Sequence, residues 1–343
     1  MTRAYNTATT QQNSGGAVAG VTAGKNPVLN SAFNVWQRGT SVAFGAYTYT
    51  ADRWQAYNNA SAATASQQVT GDTTNLPNIQ YCARVQRNSG SSATNAIQFS
   101  QSFESINSIP FAGKTVTLSF YARKGANYSP TSDILNTTLY YGSGTDQRVL
   151  AGYTGGTAAI NVNPVLTTTW QRFSYTATIA STATELGITF NHNPIGTAGA
   201  ADYFEVTGVQ LEVGSVATPY APYSSTYQGE LAACQRYYQR FTASGSTFGF
   251  FMVNLFSTSD GYGVMPAIVT LRTTPTLGTT GTASNYRIYQ GGFASLSAIS
   301  LQAGGTNQSL ISFSATGSLT NGGGGWIAPD AGNNGYLEYK AEL

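Results

Sequence analysis

Thr115-Val-Thr-Leu-Ser-Phe-Tyr-Ala122 decides the fold class. Val116, Leu118 and Phe120 alternate with Thr117, Ser119 and Tyr121, and a period of two belongs to a strand with one buried face. The same reading extends outward to Ile97–Phe103, Ile134–Tyr141, Trp170–Ile179, Glu185–Phe190 and Tyr203–Glu212. Turn residues separate these runs at short intervals, and no long helical pattern interrupts them. Many short strands over residues 26–223 predict a large jelly-roll β-sandwich, so the chain is expected to be all-β.

One helix is expected, over 224–241. Tyr227, Leu231, Cys234, Tyr238 and Phe241 are spaced four, three, four and three residues apart, a two-heptad seam. It serves either as a helix packed on its own sandwich or as a three-fold contact between chains. Residues 242–343 then read as a small, Gly-rich C-terminal β-domain. Its expected strands are Phe248–Phe256, Ala267–Leu271, Asn285–Tyr289, Ser309–Ala315 and Gly335–Glu342. Residues 1–25 are polar, without periodicity, and read as a loose tail or an attachment arm.

Composition excludes several functions. Tyr 22, Phe 16 and Trp 4 together outnumber Lys+Arg 16 and Asp+Glu 14, which is no disordered composition. Charged residues make up 9%, against about 25% in an average domain. A net charge of +2 leaves no electrostatic footprint for nucleic acid, and no apolar run approaches the ~20 residues of a membrane span. The opening Met1–Ala8 lacks the apolar segment of a secretion signal, so a protein made in the cytosol is expected. Cys82 and Cys234 are then free, buried thiols.

The catalytic inventory is thin. A single His, His192, at a strand end, is expected to be a loop residue making local hydrogen bonds. The acids are scattered, several beside Arg or Lys as in Asp52-Arg53; two distant in sequence could meet in space, but no spacing points to the carboxyl pair that glycan hydrolysis needs. No catalytic residue, metal site or cofactor is expected. Trp36 and Trp54 read as core residues, with Arg38 and Arg53 pairing Asp52 or Glu212 to pin the first strand to the last.

Four stretches resemble a domain of tail-fibre and other virion proteins of tailed bacteriophages. They are Asn26-Pro-Val-Leu-Asn-Ser-Ala-Phe-Asn-Val-Trp-Gln-Arg-Gly-Thr40 with Tyr49-Thr-Ala-Asp-Arg-Trp54; Phe111–Arg123; Val209–Tyr220 with Cys234-Gln-Arg-Tyr-Tyr238; and Pro266–Pro275 with Gly335–Leu343. The resemblance covers residues 26–343. It implies a carbohydrate-binding-module-like jelly roll in a virion-surface protein made in the host cytoplasm, usually homotrimeric. Residues 1–25 would then join other virion proteins. It also implies structural-calcium candidates, Asp202, Glu205 and Glu212, though the usual paired acids are missing.

Glycan binding suits such a fold, since sugars need aromatic faces and amides. The candidates are Tyr128, Tyr140, Tyr141, Tyr153 and Asn136. A host surface glycan or receptor is the expected ligand. A capsid-decoration or tail-assembly protein with a mechanical task is the alternative, and a glycan depolymerase a minor one.

Overall fold

A computed structural model describes residues 26–243, 249–330 and 335–343. The expected arm, 1–25, lies outside the described residues. Twelve strands build the first unit: β1 (Ser41–Phe44), β2 (Thr48–Tyr49), β3 (Gln55–Asn58), β4 (Ala63–Val69), β5 (Tyr81–Arg87), β6 (Ile97–Ser102), β7 (Thr115–Lys124), β8 (Asn136–Gly142), β9 (Thr157–Val162), β10 (Gln171–Thr178), β11 (Glu185–His192) and β12 (Tyr203–Val213). They form two six-stranded antiparallel sheets, ordered β1-β4-β5-β12-β7-β10 and β2-β3-β6-β11-β8-β9. This is the jelly-roll sandwich that the alternation predicts.

The alternating residues do what their period demands. Val116, Leu118 and Phe120 on β7 are fully buried between the sheets, as are Leu186, Ile188 and Phe190 on β11. Trp54, also fully buried, stacks on Phe99 at 4.9 Å and meets Phe33 at 5.0 Å. Trp36 is 9% exposed, and its indole N–H donates to the Phe33 carbonyl at 2.9 Å. The opening motif is structural too. The Asn26 amide donates to the carbonyls of Val209 and Ala221 at 2.9 and 3.1 Å and accepts from the Leu211 N–H at 3.1 Å. It thereby ties the entry of the sandwich to its exit strand.

The helix covers Tyr227–Gln235, shorter than the 224–241 expected. Thr226 caps it, accepting from the Gly229 N–H at 3.1 Å. Tyr238 and Phe241 lie instead on β13 (Tyr238–Thr242), paired with a strand near the far end of the chain. Cys234 and Tyr238 are fully buried within their own chain, so they offer nothing to a neighbour, and the seam is not continuous. Phe241 packs on Tyr339 at 5.4 Å, Leu231 is half-buried, and Tyr227 is 54% exposed.

Eight more strands complete the second unit: β14 (Phe251–Leu255), β15 (Asp260–Pro266), β16 (Thr276–Thr279), β17 (Tyr286–Tyr289), β18 (Phe293–Gly304), β19 (Gln308–Ala315), β20 (Gly324–Pro329) and β21 (Tyr336–Lys340). Six of them close a barrel, β14-β15-β19-β18-β17-β20, beside a three-stranded sheet β13-β21-β16. The strand expected at 267–271 falls at Asp260–Pro266 instead. There Gly261 and Gly263 point inward, where any Cβ would press on the backbone of β14. Among the described residues no helix is long and apolar enough to cross a membrane.

Buried ions join the two units. Arg38 pairs with Asp52 at 3.3 Å as expected, but its second partner is Glu342 at 3.0 Å, and Arg53 binds Glu342 as well. Glu212 takes no part; it accepts from Gln210 and Thr218. The arginines therefore pin the sandwich to the end of the C-terminal unit, not its first strand to its last. Arg236 forks onto Glu104 with both contacts at 3.1 Å, and Tyr237 donates to the same carboxylate at 2.5 Å. Arg272 donates to the Ala341 and Glu342 carbonyls and to Asp146 at 2.9–3.0 Å.

Candidate glycan-binding face

On β11 Gly187, Thr189 and Asn191 alternate with the core residues and face the outer side of the second sheet, Thr189 covered and Asn191 half-buried. The register sets Asn191 between Gln98 on β6 and Asn136 on β8, and Gln98 beside Tyr57 on β3. Strand pleating thus lines up amides across the sheet. Gln98 donates to Asn191 at 3.0 Å, Asn191 to Asn136 at 2.8 Å, and Asn136 to Asn161 at 2.8 Å and Asn163 at 2.9 Å. Each bond fixes which way the next amide faces, leaving its other lone pair or N–H turned outward.

The segment after β8 folds over one side of this row. Gln147 grips the Thr154 N–H and hydroxyl at 2.7 and 2.9 Å, and Tyr153 donates to the Leu186 carbonyl at 2.8 Å. Close approach here requires Gly187, whose Cβ would strike Val149 and the Tyr153 hydroxyl. Between segment and sheet runs a groove of about 400 Å³, lined by Gln98, Tyr140, Leu150, Tyr153, Gly156 and Thr189. Tyr47 stacks on Tyr57 at 4.7 Å, donates to the Leu150 carbonyl at 3.2 Å and lies under the Arg148 guanidinium at 4.8 Å.

Three of the five glycan candidates therefore meet on this face: Tyr140, Tyr153 and Asn136. The other two do not. Tyr141 follows Tyr140 on the strand, so it faces inward against the core. Tyr128 is 7% exposed, donates to the Ile134 carbonyl at 3.0 Å and packs on His192 at 4.9 Å. Gln98, Asn191, Tyr47, Tyr57 and Thr189 escaped the sequence reading. Their signal was present in the outward half of each alternation, as in Ile97-Gln98-Phe99, but which strands lie side by side is not written in any one of them.

The acids are committed elsewhere. Glu185 lies buried at the start of β11 and accepts the Gln147 N–H at 2.7 Å; burial pushes its carboxyl up. Asp146 holds Arg272 and the Ser105 N–H. The three calcium candidates do not meet. Glu205 sits between Arg84 at 2.6 Å and Arg123 at 2.5 Å, Asp202 binds Arg87 and Ser129, and Glu212 binds Thr218. Among the described residues no group of three or more His, Cys, Asp or Glu is placed to hold a metal ion. His192 is no loop residue with local bonds. It is a fully buried strand terminus, 3.2 Å from Asp202. Cys82 and Cys234 are both free and buried.

No protein-family model matches the chain, and no curated protein does. Solved structures similar to it include the enzymatically active domain of bacteriophage CBA120 tailspike protein 4, at 12% identity and a TM-score of 0.34, covering 55% of this chain and 22% of that one. The chain thus spans about a fifth of the tailspike chain's length. The carbohydrate-binding module TmCBM61, in complex with β-1,4-galactotriose, is 11% identical with a TM-score of 0.32, over 55% of this chain and 99% of that one. The N-terminal cellulose-binding domain of a Cellulomonas fimi β-1,4-glucanase is 16% identical with a TM-score of 0.28, over 48% and 90%.

Proposed function

We propose that this chain is a non-catalytic glycan-binding protein of the exterior of a tailed-phage virion, made in the host cytoplasm and contacting host surface polysaccharide. The amide row carries the glycan reading. Hydroxyl-rich ligands are held by groups that both donate and accept, and oriented amides do so without the desolvation cost of an ion. Tyr140 and Tyr57 offer rings beside the row on which a pyranose can lie. The virion assignment rests on the Asn26–Thr40 and Tyr49–Trp54 stretches. The acids support the non-catalytic reading: Asp146 is tied to Arg272 and the Ser105 N–H, and Glu185 accepts the Gln147 N–H.

Calorimetric titration of the protein with host surface oligosaccharides tests the reading. Asn191→Ala and Tyr57→Ala are expected to weaken binding by about 1–2 kcal/mol each, as loss of hydrogen bonds or ring contact does, with no reducing ends released. Binding that both variants leave untouched would remove the site. Turnover abolished by Glu185→Gln would make the protein a depolymerase.

A further inference from the structure

The barrel departs from the sandwich in one respect: its apolar residues are on both sides of the wall. β15 has Gly261, Gly263 and Met265 inside and Tyr262, Val264 and Pro266 outside. Asn254 pairs with Tyr262, a register that brings Met252 beside Val264. Val264 in turn lies opposite Leu310 on β19, and Met252 opposite Trp326 on β20. One apolar row thus crosses four adjacent strands. Met252 is 68% exposed, Val264 49%, Phe256 58% and Tyr262 41%, the last two stacked at 5.5 Å.

Charge is nearly absent from this unit. Residues 249–330 contain Asp260, Arg272, Arg287 and Asp330 as their charged groups, and each is engaged inside the chain. Asp260 accepts from three serines, Arg272 crosses to Asp146, and Arg287 lies 3.6 Å from Asp330 and over Phe293. The centre of the wall therefore carries no ion with which to select a charged partner; Asp260, on the same side of β15 as Tyr262 and Val264, stands at its edge and is held by the serines.

We propose that this wall, centred on Met252 and Val264, is the surface through which copies of the chain associate. A self-contact sets like against like, so it tolerates a neutral apolar patch and not a charged one. A half-exposed aromatic leaves roughly 100 Å² open. The patch then covers on the order of 500 Å² per copy, and a pair would bury about 1,000 Å², the lower edge of a stable interface. A second copy is present whenever the first is made, which suits a surface that would otherwise aggregate. The helix, whose seam is broken and buried, is not needed for this contact, and glycan binding is independent of it.

Light scattering on the full chain decides the matter. The wild type is expected at a multiple of 36.0 kDa, and Met252→Glu at the monomer mass with an unchanged circular dichroism spectrum. Mixing Met252→Glu with Val264→Lys is expected to restore the assembly. Should the variants fail to fold, peroxide oxidation of the wild type replaces them. Met252 is then expected to become protected as concentration rises, while Met265, 1% exposed, stays protected throughout. A wild type that scatters as a monomer at micromolar concentration overturns the proposal and leaves the wall to a foreign partner. So does a Met252 oxidation rate that ignores concentration.

Discussion

The sandwich and the barrel are both built of antiparallel strands, yet they spend polarity in opposite ways. The sandwich buries ions, among them Arg87–Asp202 and Glu205 between two arginines, and shows amides to solvent. The barrel packs Phe251, Val253, Met265, Ile288, Ile311 and Phe313 inside and also shows Met252, Val264 and aromatic side chains to solvent. The difference teaches that an alternating pattern identifies a strand without saying which of its faces is the core. On β7 the large residues are inside. On β15 two of the inner positions are glycine, because β14 lies too close for anything larger.

The largest expected effect tests whether the units are separate. Trp54→Ala removes the centre of the aromatic stack and is expected to cost the sandwich about 3–5 kcal/mol. Limited proteolysis with mass readout should then degrade 26–223 and leave a barrel fragment. If both units disappear together, they form one cooperative body and the contrast between them has no thermodynamic meaning.

Next in size is the joint. Arg53→Met leaves Arg38 alone to hold Glu342, and losing one charged hydrogen bond of a largely buried pair costs about 1.5–3 kcal/mol. Calorimetry should show two transitions pulling apart where the wild type shows them closer. An unchanged thermogram would mean the joint contributes no coupling.

Proton linkage gives the two units opposite responses to pH. Burial raises the Asp52 carboxyl to about 7, Arg38 offsetting only part of this. The folded state then binds an extra proton between about pH 4 and 7, so this contribution to stability is present at low pH and lost as pH rises through 7. Glu338 behaves oppositely. Burial raises its carboxyl, but Tyr238, Arg240 and Lys340 donate to it and hold it below the usual range. Its contribution is lost as pH falls. Asp52→Asn should flatten the fall in melting temperature between about pH 4 and 7 and leave the loss below about pH 4 alone; a profile unchanged in both ranges contradicts the assignment.

The smallest effect on stability is expected at Asn191→Ala. Its amide is only half-buried, so about 1 kcal/mol or less is at stake, while glycan affinity falls. A large loss of stability would make the amide row a structural device.

Half of the sandwich strands, β6, β7, β8, β10, β11 and β12, are legible in the sequence because they follow a simple rule of burial. The helix was overextended for a definite reason. Tyr238 continues a heptad spacing, and nothing in 224–241 announces that β21, a hundred residues on, will pair with it. The amide row was half legible. Asn136, Tyr140 and Tyr153 stand out as residue types, whereas Gln98 and Asn191 acquire meaning only when β6, β11 and β8 are adjacent. Tyr128 and Tyr141 show the converse: composition alone does not distinguish an exposed ring from a buried one.

Arg53 and Glu342 are 289 positions apart. At 5–20 residues per second, a ribosome takes roughly 15–60 s to travel from one to the other. Through that interval the nascent sandwich holds a guanidinium whose main anionic partner does not yet exist, with the Ser102 carbonyl as its remaining anchor. The synthesis of Glu342 is thus also the step that neutralises a charge at the bottom of the first domain.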